Sequence, residues 1–293
     1  MRPYQASIIR FGTGLLSIFL FLGCQSKPTR VGESQSREFA LIIDKVDKPL
    51  KLSDHSVILD ARSSFDYGLN RVTGSQHLTW ESLAESSQTG ELMRDRRRLA
   101  QRLALFGLKP DRPIIVLGNG PRGGGEEGRL AWTLVYFGFR DVQISSVELF
   151  RKNMTQLPSP APENVEPTDL EGNFGLVVDK KEFQRWAENP KDRAESRVWI
   201  LDVRSEGEYF NKTKGAPKVV DIGALNVEWK QFFTDMGRPN VKIREILAAL
   251  GVQPKDRIIV VSNKGIRSSA AAYALLAIGF HRVENFLAGY RIL

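Results

Sequence analysis

The amino-acid sequence repeats itself across an interval of about 140 residues. Three ordered segments of the first half match three segments of the second half at offsets of 142, 144 and 141 residues. The matching pairs are 59–67 with 201–209, 107–117 with 251–261, and 137–139 with 278–280. Solenoid repeats have periods of roughly 20–50 residues, so a period this long excludes a solenoid. The chain is therefore expected to contain two copies of one whole fold.

Short apolar runs alternate with segments of helical periodicity inside each repeat. Strands are predicted at 57–59, 114–117, 198–201 and 258–261, and helices at 99–106, 130–137, 243–250 and 270–278. Glycine follows each predicted helix, which is a common C-terminal signal. This alternation predicts an α/β fold of two tandem domains, each with a mostly parallel sheet flanked by helices. The ligands of such sheets bind beyond the carboxyl ends of the strands.

Proline and polar residues mark the boundaries of these domains. Residues 155–173 contain four prolines in a short polar stretch, which precludes a continuous helix or a central strand. We therefore predict a first domain over residues 39–154, a linker over 155–173 and a second domain over 174–293.

The N-terminus has the pattern of a secretory signal. Arg2 and Arg10 accompany an apolar stretch over 11–22, and Cys24 follows directly after Gly23. The apolar stretch is shorter than the roughly 20 residues that span a bilayer, so a permanent transmembrane anchor is the weaker interpretation. Its end resembles a bacterial lipobox, in which the cysteine is lipidated and becomes the first residue of the mature chain. The alternative is an ordinary signal peptide with an incidental cysteine.

The lipobox interpretation divides the N-terminal region and predicts where the protein resides. It gives a signal peptide over residues 1–23 and a polar tether over 24–38, and it makes the membrane a partner through a lipid on Cys24. Each buried methylene of an acyl chain contributes about 0.8 kcal/mol of membrane affinity, so two or three chains would hold the protein firmly. We therefore expect a lipid-anchored protein of the bacterial cell envelope, either periplasmic or at the outer membrane.

Charge and cysteine content exclude two further classes of protein. The formal net charge of +8 is mildly basic for 293 residues. The basic run at Arg94 and 96–98 contains Asp95 and has helical character, so it indicates a solvated helix face, and no nucleic-acid partner is expected. Cys24 is the one cysteine of the chain, which excludes an intramolecular disulfide.

The three histidines, His55, His77 and His281, are scattered along the sequence. They do not have the spacing of metal ligands, and none has an evident partner for a Ser-His-Asp arrangement. Packing or surface roles are therefore predicted for all three, and no metal and no cofactor is expected.

The strand predicted at 258–261 continues into a helix through the sequence SNKGIRS. Successive backbone amides at a helix N-terminus, with a glycine that allows close approach, can hold an anion. Lys264 and Arg267 would add positive charge. We predict a loop that binds a small oxyanion, and the alternative is an ordinary strand-to-helix turn with two solvated cations. The predicted anion-binding residues are Ser262, Asn263, Lys264, Gly265, Ile266, Arg267 and Ser268.

These motifs together resemble the tandem-domain rhodaneses, which are thiosulfate sulfurtransferases, over nearly all of residues 40–293. In the second repeat the resemblance rests on the motifs LDVR at 201–204, Tyr209, GAP at 215–217, IGALNV at 222–227, Trp229, GF at 279–280 and LAGY at 287–290. In the first repeat it rests on LDAR at 59–62, VTG at 72–74, His77, Trp80 and FGF at 137–139. The resemblance implies two rhodanese-like domains with the active loop in the second.

The chain departs from this family at the nucleophile. The family's active loop begins with a cysteine that carries a persulfide, followed by two residues, glycine, one residue, and arginine or threonine. Aligned on Gly265 and Arg267, this position is Ser262, and in the first repeat it is Gly118. A serine hydroxyl does not ionise near neutral pH and stores no sulfur, so no catalytic residue is predicted.

The resemblance also implies a structural role for two Asp-x-Arg motifs. Asp60 with Arg62, and Asp202 with Arg204, are expected to form buried ion pairs that brace the fold. The glycine-rich segment 118–129 lacks the Gly-Lys-Ser/Thr ending of a phosphate-binding loop and carries two carboxylates. A flexible surface loop or a contact with a partner is expected there.

Three functions are compatible with these residues. The favoured hypothesis is a rhodanese-like envelope lipoprotein without catalysis, which acts as a binding or scaffold protein for a small oxyanion or for an unknown protein partner. The first alternative is a thiosulfate sulfurtransferase that works by a non-standard route or with a thiol-bearing partner. The second is a phosphate-ester enzyme, since related phosphatases share the fold. The first alternative needs a cysteine that the chain does not supply, and the second depends on a cysteine in the loop, where the chain has none.

Overall fold

A computed structural model describes residues 55–86, 90–170 and 172–292, together with Val46 and Leu50. The predicted signal peptide, the tether and Cys24 lie outside the described residues. Among the helices of the described ranges, none is both long and apolar enough to cross a membrane.

Two four-stranded parallel sheets form the framework, one in each repeat. The strands are β1 (Val57–Asp60), β2 (Arg71–Val72), β3 (Gln76–His77), β4 (Ile114–Gly118), β5 (Val142–Ser146), β6 (Met154–Thr155), β7 (Val198–Asp202), β8 (Leu225–Asn226), β9 (Arg257–Val261) and β10 (Arg282–Asn285). The first sheet has the order β3-β1-β4-β5 and the second has β8-β7-β9-β10, while β2 and β6 form a small antiparallel pair. The two large sheets therefore share one strand order.

Helices flank both sheets. They are α1 (Ser64–Leu69), α2 (Arg96–Ala104), α3 (Glu126–Tyr136), α4 (Lys180–Glu188), α5 (Pro190–Glu195), α6 (Glu206–Tyr209), α7 (Ile243–Ala249) and α8 (Ile266–Ala277). The predicted α/β class and the predicted strands and helices are confirmed. The helices α2, α3 and α8 begin three or four residues earlier than the apolar periodicity predicts, because their first turns are polar or start after a glycine.

The strand registers place the two repeats in equivalent positions. Asp60 of β1 is opposite Leu117 of β4, and Asp202 of β7 is opposite Val261 of β9. The residue after each aspartate makes the same cross-strand hydrogen bond. The amide of Ala61 donates to the carbonyl oxygen of Leu117, and the amide of Val203 donates to that of Val261. The next residue after each of these carbonyls, Gly118 or Ser262, therefore occupies the same point at the carboxyl edge of its sheet.

The helices α3 and α8 pack against each other and join the two repeats in one hydrophobic core. A Cβ atom on Gly128 of α3 would lie 2.5 Å from the Cβ of Ala270 of α8, so the contact requires a glycine. The opposite faces of the sheets pack on two separate apolar clusters. Both faces of the central strands are thus buried, which explains why their sequences are continuous apolar runs.

The predicted linker over 155–173 contains no helix at its described positions after β6. It lies along the first repeat, where the carbonyl oxygen of Pro160 accepts a hydrogen bond of 2.6 Å from Gln76 Nε2. Glu163 pairs with Arg112 at 2.6 Å. The domain boundaries themselves remain a prediction.

Candidate functional site

The loop from Ser262 to Ser268 connects the end of β9 to the start of α8. Gly265 is the N-cap of α8 and has a φ of +79°, a conformation that favours glycine. A Cβ atom there would lie 2.1 Å from the carbonyl oxygen of Leu287. The chain after β10 therefore packs directly against the loop and fixes its shape.

Ser262, at the nucleophile position, faces the inside of this loop. Its side chain is buried, with 1% of its surface exposed. The hydroxyl oxygen accepts a hydrogen bond of 3.3 Å from the amide of Ser268 and lies 3.2 Å from Ser268 Oγ. The hydroxyl is thus engaged in holding the loop closed.

The backbone amides of residues 263–267 are available to a ligand. Within the part of the chain that the structure describes, none of these amides donates a hydrogen bond. They precede or begin α8, a helix of 12 residues whose N-terminus carries partial positive charge. This is the arrangement by which strand-to-helix loops bind anions.

Glu208 of α6 is the principal partner of the loop's arginine, and sequence reasoning did not single it out. Its carboxylate accepts hydrogen bonds of 2.6 and 2.9 Å from the guanidinium of Arg267, and one of 2.6 Å from Asn263 Nδ2. Ser205 caps α6 and also donates to Glu208. The hydrogen bonds from Arg267, followed by its charge, lower the pKa of Glu208 to about 2 despite partial burial. The carboxylate of Glu208 is therefore ionised, and it forms an ion pair with the guanidinium of Arg267.

The repeat contained a signal for Glu208. It is one of three acidic residues of 201–209, and Asp66 stands at the matching position of 59–67. Asp66 is bonded only locally, through Ser63 at the N-cap of α1. The acidic type is therefore visible in the sequence, but the contact with Arg267, 59 positions away, is visible only in the fold.

The loop forms the floor of an open cleft of about 490 Å3. Gly123 and Gly124 of the first repeat contribute one wall of the cleft. The predicted flexible surface loop over 118–129 is wrong, because Arg122 is its one exposed residue and the segment includes the end of β4 and the start of α3. Four cations and two carboxylates line the cleft, and they are Lys230, Lys264, Arg267, Arg291, Glu208 and Glu228. The excess of positive charge favours an anionic ligand.

Comparison with known families supports the resemblance for the second repeat. Residues 180–291 match the sequence model of the family described as the rhodanese-like domain. This part of the chain is a rhodanese-like domain. It contains the whole loop, Glu208 and most of the cleft.

Solved structures of similar fold extend over both repeats. The structure entitled "The 'Rhodanese' fold and catalytic mechanism of 3-mercaptopyruvate sulfotransferases", SseA from Escherichia coli, has a TM-score of 0.66 and 18% identity, and the match covers 86% of this chain and 97% of SseA. A probable thiosulfate sulfurtransferase has a TM-score of 0.56 and 21% identity, with 82% and 94% covered. At these identities the likeness concerns the fold.

A third similar structure is longer than this chain. The Y353A variant of EanB in complex with ergothioneine has a TM-score of 0.68 and 17% identity. The match covers 83% of this chain and 63% of EanB, so the chain corresponds to less than two thirds of that protein. No curated protein sequence matches the chain.

The first repeat fills its equivalent loop with its own carboxylate. A Cβ atom on Gly118 would lie 2.4 Å from Glu127 Oε2, so this oxygen occupies the space that a side chain at the nucleophile position would need. Glu127 is buried, and burial raises its pKa to about 8. A turn of the rhodanese-like domain covers the loop from outside, where a Cβ on Gly120 would lie 3.3 Å from the Cα of Gly237. The first-repeat loop is thus closed from both sides.

The two Asp-x-Arg motifs form buried ion pairs. Arg62 Nη2 lies 2.7 Å from Asp60, and Arg204 Nη2 lies 2.7 Å from Asp202. Each arginine also donates to a backbone carbonyl oxygen beyond the helix that follows its strand, Arg62 to Asn70 and Arg204 to Pro217. The ion pairs therefore link the end of the central strand to the segment beyond the helix in both halves of the chain. The carboxylates of Asp60 and Asp202 do not line the cleft.

The histidines lie apart from the cleft. His77 stacks on Tyr67 at 4.8 Å between ring centroids and is bonded to the carbonyl oxygen of Arg62 at 2.9 Å. His55 is exposed and His281 is half-buried near the start of β10. In the described ranges, no group of three His, Cys, Asp or Glu side chains is arranged to hold a metal ion.

Proposed function

We propose that the chain is a tandem rhodanese-like lipoprotein of the cell envelope that binds a small oxyanion at the loop 262–268 and does not transfer sulfur. The observation that carries this proposal is the state of Ser262. It stands at the nucleophile position, it is buried, and its hydroxyl is bonded within the loop.

The chemistry of sulfur transfer gives the reason. The family's reaction requires a thiolate that attacks sulfur and keeps it as a persulfide. A serine hydroxyl remains protonated at neutral pH and forms no comparable sulfur intermediate. Cys24 is the one cysteine of the chain, and it is the first residue of the predicted tether.

The binding half of the proposal is supported by the amides of 263–267 and by the excess of cations in the cleft. Glu208 competes with any ligand for Arg267, because its carboxylate takes two of the hydrogen bonds that the guanidinium can donate. We therefore expect weak, salt-sensitive binding of sulfate, phosphate or thiosulfate.

The tandem organisation is supported by the shared strand order of the two sheets and by the fold likeness to SseA along both repeats. The loop after Gly118 in the first repeat is filled by Glu127, whereas the loop 262–268 of the second repeat lines an open cleft. This difference fits a tandem protein in which one of two equivalent loops binds the ligand. The envelope location rests on the N-terminal sequence pattern alone.

A thiocyanate assay with thiosulfate and cyanide tests the loss of transferase activity. We expect no turnover by the wild-type chain, while Ser262→Cys should gain one sulfur atom in mass after exposure to thiosulfate. Sustained wild-type turnover would contradict the proposal. Turnover that appears only with an added thiol protein would favour the alternative of a thiol-bearing partner.

Binding is tested by thermal shift with millimolar thiosulfate and sulfate. Ligands that bind the folded state raise its stability by mass action. Arg267→Ala should abolish the shift, and Lys255→Ala, an exposed cation outside the cleft, should keep it. An anion effect that is equal in both variants would refute a site at the loop.

A further inference from the structure

The segment that joins α6 to β8 is longer in the second repeat than in the first. In the first repeat, Asp60 of β1 pairs with His77 of β3, which is 17 positions later in the sequence. In the second repeat, Asp202 of β7 pairs with Asn226 of β8, which is 24 positions later. The rhodanese-like domain therefore carries seven more residues between equivalent points of its sheet. They lie in residues 210–220, which we name the lysine loop.

The lysine loop is basic and has apolar ends. Its sequence FNKTKGAPKVV contains three lysines and no acidic residue. Lys212, Lys214 and Lys218 are all exposed. At its two ends, Phe210 is 54% exposed and Val220 is 83% exposed. Phe210 and Val220 line one surface pocket, so the two exposed apolar side chains lie near each other beside the group of cations.

The lysine loop is held in one shape by its base. Asn211, with a φ of +58°, donates from Nδ2 to the carbonyl oxygen of Val219 at 2.9 Å and accepts from the Val219 amide at 3.0 Å. Arg204, the buried partner of Asp202, donates to the carbonyl oxygen of Pro217 at 3.3 Å. The lysines are thus presented by a closed loop, which reduces the ordering cost of binding.

We propose that the lysine loop binds the anionic surface of a phospholipid membrane. The lysine ammonium groups would contact headgroup phosphates, and Phe210 and Val220 would enter the boundary between headgroups and acyl chains. Interfacial membrane contacts combine Lys or Arg with apolar side chains in this way. A purely acidic protein partner would use the charges and would leave both apolar side chains in water. This contact depends neither on the cleft nor on a lipid at Cys24.

Vesicle binding tests the proposal on the predicted mature chain, residues 24–293 with Cys24→Ser, so that neither an acyl group nor the apolar stretch over 11–22 contributes. The probes are vesicles of phosphatidylcholine alone and of phosphatidylcholine with phosphatidylglycerol. Each lysine near an anionic surface contributes about a five-fold factor in affinity, so K212Q/K214Q/K218Q should weaken binding to the anionic vesicles by about 100-fold. The matched control K152Q/K181Q/K255Q removes the same charge from exposed positions outside the loop and should change binding less than about five-fold.

The apolar ends are tested separately. Phe210→Ser should weaken the anionic-vesicle binding that persists at high salt, and circular dichroism should show an unchanged fold because the side chain is exposed. Equal weakening by the two triple variants would overturn the proposal, since net charge alone would then account for binding. Binding to polyglutamate without binding to anionic vesicles would also overturn it and would assign the loop to an acidic protein.

Discussion

Glu127→Gln should remove a large pH dependence of stability. Glu127 is buried behind Gly118, and its Oε2 has no hydrogen-bond partner among the residues that the structure describes. Burial raises its pKa from 4.5 to about 8, while the amides of Glu127 and Gly120 lower it only in part. The folded state therefore keeps the proton to higher pH than the unfolded state does.

The sign follows from proton linkage. Between about pH 4.5 and 8 the unfolded chain has released this proton and the folded chain retains it, so the free energy of unfolding falls as pH rises. Each unit of difference in pKa corresponds to about 1.4 kcal/mol, so the total loss is on the order of 5 kcal/mol. Glutamine has nearly the same shape and cannot ionise, so the variant should lose this decline.

Urea unfolding at pH 5, 6, 7 and 8, followed by tryptophan fluorescence, measures the effect. The difference in unfolding free energy between Glu127→Gln and wild type should grow in favour of the variant toward pH 8. Glu284, whose pKa burial also raises, affects both proteins equally and cancels in this difference. The exposed Glu195→Gln should run parallel to wild type. Parallel curves for Glu127→Gln as well would refute the buried, protonated carboxyl.

Three further predictions concern the loop and the anchor. Gly265→Ala should cost at least about 2 kcal/mol in urea unfolding, because it combines a positive φ with a Cβ that would lie 2.1 Å from the carbonyl oxygen of Leu287. Gly215→Ala, with φ +81° and nothing within 4 Å, should cost about 1 kcal/mol, and equal costs would contradict the tight packing of the loop. Glu208→Gln should raise the affinity for sulfate by about five-fold in calorimetry, because Arg267 loses its ionised competitor; unchanged affinity would mean that Arg267 does not face the ligand. Cys24→Ser should abolish acyl labelling and release the protein from isolated membranes, and full retention would argue against the lipobox.

Local pattern was sufficient for much of the fold. Continuous apolar runs predict buried parallel strands because both faces of β4 and β9 are covered. Glycines after the helical segments mark the helix ends, because the residue there adopts a left-handed backbone conformation that a Cβ atom disfavours. The helix starts were less well predicted, since polar first turns do not contribute to apolar periodicity.

The repeat, the α/β class and the serine at the position predicted for the nucleophile follow from the amino-acid sequence alone, because each is expressed in neighbouring residues or in a comparison of two segments. The environment of each loop, in contrast, depends on packing between elements that are distant in the sequence. Glu208 meets Arg267, and Glu127 fills the space beside Gly118, through contacts that depend on how α6 and α3 lie against the sheet edges. Packing also brings Gly123 and Gly124 of one repeat to the cleft of the other. Charge and burial at a site depend on all elements that surround it, and a linear pattern specifies only the residues adjacent in the chain.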